Sequence, residues 1–217
     1  MKTNQQRSEV FKLFQTNIKR KKDFEFGKEQ LLTLREEFMS VYNFIFDTCN
    51  NDDFAKMPLS KDKTIAYYLF HLTRIEDITS NTLILGKKQI FFKRNYDELL
   101  NSPIITTGNE IERNNLVEFS SMLEINQLKN YIYEVFSNTN NIIKDMSYED
   151  SRKKVSDERK AELVKLHTVS ENENAFWLID YWCNKTYTGL LLMPFSRHQM
   201  LHLDGCLRII SKIKKVF

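Results

Sequence analysis

Over residues 28–48, Leu31, Leu34, Phe38, Val41, Tyr42 and Ile45 recur at steps of three and four, with polar and charged residues between them. That spacing predicts an amphipathic helix with one core-facing stripe. Residues 50–58 read as a loop, after which Ser60 is a candidate cap for a second helix whose wide apolar face carries Ile65, Tyr68, Leu69, Leu72, Ile75 and Ile78. His71 adjoins that face, so its side chain can enter the core. Residues 86–114 hold a strand-like scrap at 89–92 and a polar stretch with Pro103 and Gly108, which predicts an excursion between helices. A third helix is expected from about residue 123 to 146 through Leu128, Ile132, Val135, Phe136, Ile142 and Ile143, weakened in its middle by residues 138–141. A charged excursion at 147–160 leads to an amphipathic piece at 161–167, and then to a short helix at 174–186 with Phe176, Trp177, Leu178, Tyr181 and Trp182. Pro194 suits a first helical turn, so the last helix is expected from there to about residue 214, with Lys212, Lys214 and Lys215 favourable to its C-terminal dipole.

The first 27 residues mix charge with Phe11, Phe14, Phe24 and Phe26, as in an extension that docks on a body made by residues 28–217. The whole chain of 217 residues fits one domain with a sizeable core. Five glycines, three prolines and 41% hydrophobic residues indicate an all-α protein, because turn-rich β-proteins use far more glycine and proline. No repeat of solenoid period is visible.

Charge gives little support to two classes of function, although the basic run 19–22 leaves a nucleic-acid binder open as a lesser rival. With 32 basic and 29 acidic residues the net charge is +3, too balanced for a strong field toward nucleic acid or an anionic membrane. The basic runs 19–22 and 152–154 read as solvated loops or helix ends. Cys49, Cys183 and Cys206 are odd in number and widely spaced, so they suggest neither a disulfide framework nor a thiolate zinc site, and a reducing cytoplasm fits them. Neither a signal peptide nor a membrane-spanning stretch is expected from the sequence.

The chemistry lies in the last helix. His198 and His202 stand at i and i+4, so both imidazoles fall on one helical face about 6 Å apart along the axis. Neutral imidazole is a common ligand of zinc, nickel, iron and copper, and such a pair defines one edge of a coordination polyhedron. A third ligand must come from elsewhere, and His71 in the second helix is the candidate. The pair alone also occurs on ordinary surfaces, and a histidine in an apolar helix is also satisfied by a core neighbour.

The runs F-H-L-T-R-I-E-D, around His71, and R-H-Q-M-L-H-L-D-G-C-L-R-I, around His198 and His202, resemble the DinB/YfiT-like superfamily of metalloenzymes. The resemblance spans roughly residues 30–215. It implies a four-helix bundle and a divalent metal ion, zinc, nickel or iron, on His71, His198 and His202. His167 has no counterpart in the motif. Three histidines leave open coordination positions, the arrangement of a catalytic site. The resemblance further implies a transferase that uses a low-molecular-weight thiol and an electrophile, in place of which a non-enzymatic stress-response or metal-binding bundle stays open. Nucleic acid and membrane are not expected as partners, and a homodimer is left open.

Other residues near the motif have plainer expectations. Glu76 and Asp77 are rotated about 140° and 240° from His71 and are expected to pair with Arg74, Arg208 or another helix. Asp204 is expected to be structural, Gly205 to admit a close neighbour, Cys206 to be a small core residue, and the aromatic group at 176–182 to be core more than platform. Ligating imidazoles must be neutral, so metal is expected to leave as pH falls below about 6.5.

Overall fold

The apolar stripe at 28–48 belongs to a helix that starts four residues earlier, and what lies under its first turn explains why. In the computed structural model, which describes residues 4–215, α1 (Asn4–Asn17) folds back on α2 (Phe24–Thr48). Gly27 lets this happen: a Cβ there would stand 2.6 Å from the backbone nitrogen of Ile18. Phe11, Phe14, Ile18 and Phe24 are buried in the joint, while Phe26 points outward and is 56% exposed. Arg7 of α1 also reaches the last helix, with its guanidinium 2.6 Å from Asp204.

The segment after α2 is not all loop, because Asn50 and Asp53 form a reciprocal capping box that starts the short helix Asn51–Phe54. The second long helix, α3 (Ile65–Asp77), is capped by Thr64 and not by Ser60: the Thr64 hydroxyl accepts from the Tyr67 N–H at 3.2 Å. All 13 residues of α3 are buried, which makes it the central helix of the fold. It continues as a π-helical segment, Ile78–Leu85, that ends at Gly86 in the left-handed region with φ 59°.

Residues 89–92 are helical and not strand-like. The Asp77 carboxylate accepts from the N–H groups of Ile90 and Phe91, both at 2.9 Å, and so caps the turn Ile90–Lys93 from 13 residues away. The third long helix, α4 (Ile125–Asp145), runs unbroken through its asparagines. Asn140 accepts from Arg35 at 2.5 Å and Asn138 donates to Asn81 at 3.2 Å, so both spend their polarity on neighbouring elements and not on the helix's own backbone.

Besides shorter helical pieces such as Leu116–Met122, the later elements are α5 (Asp157–Lys165), α6 (Glu173–Cys183), α7 (Tyr187–Leu192), a π-helical turn Met193–Arg197 containing Pro194, and α8 (His198–Lys214). Helix α3 packs on α4 and α8, and α2 closes the circuit by packing on the same two. The fold is all-α: among the described residues the β-structure amounts to an isolated bridge between Lys154 and Thr186. No helix among the described residues is long and apolar enough to cross a membrane. The two basic runs lie at the surface, where Lys21 pairs with Glu149 at 2.6 Å and Lys153 with Asp150 at 2.5 Å.

Two buried charge networks run through this core. Arg35 holds Glu76 in a two-pronged pair at 2.6 and 3.3 Å, and Gln199 donates to the same carboxylate at 2.7 Å. Arg74 and Asp77 approach to 3.6 Å and share the Tyr131 hydroxyl, which receives a bond from Arg74 and gives one to Asp77. Glu76 and Asp77 are thus structural as expected, although Arg208 pairs with Asp62, at 2.7 Å, and with neither of them. Removing one member of a buried pair strands the other's charge, so Glu76→Ala is expected to lower unfolding stability by about 3–5 kcal/mol in urea titrations. A loss below about 1 kcal/mol would show that Glu76 is not held in this pair.

Candidate metal centre

His71 sits on the wall of α3 that faces α8, one turn after Tyr67, and the two rings are stacked with centroids 5.5 Å apart. His198 opens α8 directly after the π-helical turn, and His202 follows one turn later. The three side chains converge. Nε2 of His198 lies 3.1 Å from Nε2 of His71 and 3.1 Å from Nε2 of His202. The ligand atoms of all three fall within 4.8 Å of one another. Two nitrogens bound to one tetrahedral ion at about 2.1 Å are separated by about 3.4 Å, so the set stands close to ligating distance.

Proton counting tests whether a cation fits. Nδ1 of His71 lies 2.8 Å from the Thr107 carbonyl, which can only accept, so the proton is on Nδ1 and Nε2 carries a lone pair. His198 Nε2 must then donate to His71, or else face it lone pair to lone pair. If it donates to His71, its only Nε2 proton is spent, and the second 3.1 Å contact must share it. If it accepts from His202, the first contact has no proton. Neutral imidazoles therefore hold too few protons for two good hydrogen bonds, whereas a cation among the three nitrogens satisfies every lone pair at once. The Thr107 carbonyl then serves as the outer partner that commonly fixes a ligating histidine.

Extra protons are not available to resolve the conflict. Burial, then the neighbouring charge of His202, pulls His71 down to about 3 despite the Thr107 carbonyl. Burial followed by the charges of Lys63 and Arg208 lowers His202 to about 4. His198 is driven well below its ordinary value by burial and then by the other two histidines. Its Nδ1 is buried without a hydrogen-bond partner among the described residues.

The surrounding side chains hold the pair in place. A Cβ on Gly205 would stand 2.9 Å from the ring of Tyr68, which packs on His202 with centroids 5.0 Å apart. Asp204 turns away to Arg7, and His167 lies at the surface beside Glu171, outside the centre. Cys206 is fully buried and its thiol is pushed far up, first by desolvation. Cys49 and Cys183 are raised to about 11, also chiefly by burial. None of the three is a reactive thiolate near neutrality.

A cavity of about 310 Å³ opens on the histidines, walled by Trp177, Tyr181 and Trp182 of α6, by Met193 and Pro194, and by Lys63 with Tyr67. The aromatic group at 176–182 is therefore only partly core: Trp182 is buried, but Phe176 and Trp177 are 46% and 51% exposed. Thr107 and Lys63 were not among the residues singled out in the sequence. A backbone carbonyl leaves no sequence signal, but Lys63, Tyr67 and His71 are spaced by four, which extends the line of the histidine one turn before the helix.

No family model matches the chain, and no curated protein matches its sequence. Among solved structures it is similar to a conserved protein from Enterococcus faecalis, with 10% identity over 100% of this chain and 99% of that one and a TM-score of 0.58. At that identity the likeness concerns the fold alone.

The depressed histidines set the pH response. Each titrates near 6.5 in the unfolded chain and lower in the folded one, so between about pH 6.5 and about pH 4 the unfolded state binds more protons. Stability of the metal-free protein is then full above that window and falls as pH drops through it. Thermal melts at pH 7 and pH 4.5 are expected to show this loss, and His198→Gln to show a smaller one. An equal loss in that variant would mean that His198 is not buried in its neutral form. By the same shift, protons are expected to compete with an ion on these histidines only toward pH 4, below the pH 6.5 at which free imidazoles titrate.

Proposed function

We propose that the chain is a divalent-metal-dependent enzyme of the DinB/YfiT-like kind, a four-helix bundle of α2, α3, α4 and α8 extended by α1, that transfers a low-molecular-weight thiol to an electrophile. The observation that carries this reading is the meeting of three buried imidazole Nε2 atoms at two 3.1 Å contacts that neutral rings cannot both turn into good hydrogen bonds. Zinc, nickel or iron suits such a donor set.

A divalent ion held there supplies Lewis acidity that makes a nearby thiol or water acidic enough to ionise near pH 7. The chain does the rest by placement. Thr107 holds His71 in the tautomer that presents Nε2, and Tyr68 fixes the ring of His202. Trp182 and Leu178 close the inner wall of the cavity with apolar surface, which limits water. The nucleophile comes from the cosubstrate, because every cysteine of the chain is held protonated.

Protein purified without a histidine tag is expected to carry about one divalent ion per chain by elemental analysis, and His198→Ala to weaken binding at least tenfold. The loaded protein should accelerate conjugation of a small thiol to an electrophile, whereas metal-free protein and His202→Ala should not. Replacing Cys49, Cys183 and Cys206 together with Ser should leave most of that activity in a variant that folds. Loss of activity with metal retained on removing one cysteine would identify a protein thiol as nucleophile. Full metal content with no thiol reaction would support a metal-binding helical protein without catalysis.

A further inference from the structure

The cavity beside the three histidines has a charge arrangement of its own. At about 310 Å³ it lies at the small end of the range for small-molecule sites. Trp177, Tyr181, Leu178 and Met193 give its lining an apolar and aromatic part. The lining also includes Lys63, half-buried, whose ammonium group donates to the Tyr67 hydroxyl at 2.9 Å and stands 4.1 Å from the centroid of that ring.

Lys63 lacks a counter-charge. The influences acting on it are burial and the neighbouring cation Arg113, both unfavourable to its charge. The other nearby cations are accommodated: Arg208 pairs with Asp62 at 2.7 Å, and Arg113 donates to the carbonyls of Asp62 and Leu59 at 2.8 and 2.9 Å. The carboxylate felt at Tyr67 is Glu110, whose Oε1 is taken by the Thr106 hydroxyl and whose Oε2 is buried without a hydrogen-bond partner among the described residues; it does not line the cavity. No ion pair to Lys63 occurs among the described residues.

Among the side chains that line the cavity the imidazoles are neutral and Lys63 carries the one formal charge, so the lining stands at +1, and a divalent ion on the histidines would take it to +3. Concentrated positive charge of this kind, in a space half screened from water, is stabilised by an anion that enters with its own body of apolar surface. A neutral ligand would leave the ammonium group with the Tyr67 hydroxyl and ring as its partners and no counter-charge.

We propose that the cavity is a binding site for a small organic carboxylate with an apolar or aromatic body, its carboxylate received by the Lys63 ammonium and the Tyr67 hydroxyl, its body against Trp177 and Met193. This narrows the function proposed above and rests on it for the role of the ligand: the thiol cosubstrate or the electrophile carries the carboxylate. The site itself is built from side chains already in place.

The probes are 4-methylbenzoate and its uncharged partner 4-methylbenzamide, titrated by calorimetry and by tryptophan fluorescence into zinc-loaded and metal-free protein. Wild type is expected to prefer the acid by about tenfold, the scale of one charge-assisted hydrogen bond, and Lys63→Gln to bring the ratio to about one while binding the amide as before. Trp177→Ala should weaken both probes by a similar factor. Zinc content is measured on the same samples. Failure to take up zinc would remove the metal-dependent function, but loss of the acid preference in metal-free Lys63→Gln would still support the anion site. Equal affinity of wild type for acid and amide, a preference that survives Lys63→Gln, or binding of neither probe overturns the proposal.

Discussion

The guanidinium of Arg35, in the middle of α2, touches every long helix of the core. It pairs with Glu76 of α3, donates to the Phe136 carbonyl and the Asn140 side chain of α4, and donates to the Phe195 carbonyl in the turn that leads into α8. Gln199 of α8 completes the set by donating to Glu76 and accepting from Tyr42. A buried ion pair contributes little net stability over a well-packed apolar replacement, because desolvation offsets most of the attraction. What it contributes here is register. Glu76 is five residues beyond His71 and Gln199 is next to His198, so the bonds that hold these two also fix the rotation of α3 and α8 about their axes. A slip of one residue in either helix, a turn of about 100°, would carry an imidazole away from the centre.

The second network does the same for the excursion at 86–114. Arg74, one turn after His71, donates to the Ile105 carbonyl through Nε and Nη2 at 3.2 and 2.6 Å, and Asp77 caps the turn at Ile90. Both anchors lie on α3 itself. The excursion is thereby tied to the helix that carries His71, and two residues beyond Ile105 the Thr107 carbonyl arrives at Nδ1. The tautomer of His71 depends on backbone placed by charges that never touch the ring.

This division of labour explains what could be read from the sequence. The histidines were legible because helical spacing alone brings His198 and His202 to one face, and because an apolar helix with a histidine on its flank points to the core. The long helices were legible from their stripes, to within a few residues at each end. Legibility failed where partners are distant in sequence. Residues 89–92 have the composition of a strand and became a helical turn under a carboxylate 13 residues away. Ser60 and Thr64 are both plausible caps, and Thr64 prevails where its hydroxyl also meets Ser120 at 2.6 Å. Trp177 looked like core because aromatic residues usually are, yet the helix that carries it leaves one edge open over the cavity.

The same contrast runs through the chemistry of the centre. The groups that the chain brings together are neutral donors, and three buried acids of the core are engaged by cations, Glu76 by Arg35, Asp77 by Arg74 and Asp62 by Arg208. Burial keeps the thiols protonated and the imidazoles unprotonated. The cavity lining holds no thiol of its own and no negative charge with which to neutralise a cation. In the function proposed for it, both must arrive with the small molecules it binds, and the protein's part is to keep lone pairs, one ammonium group and an apolar wall in fixed relation until they do.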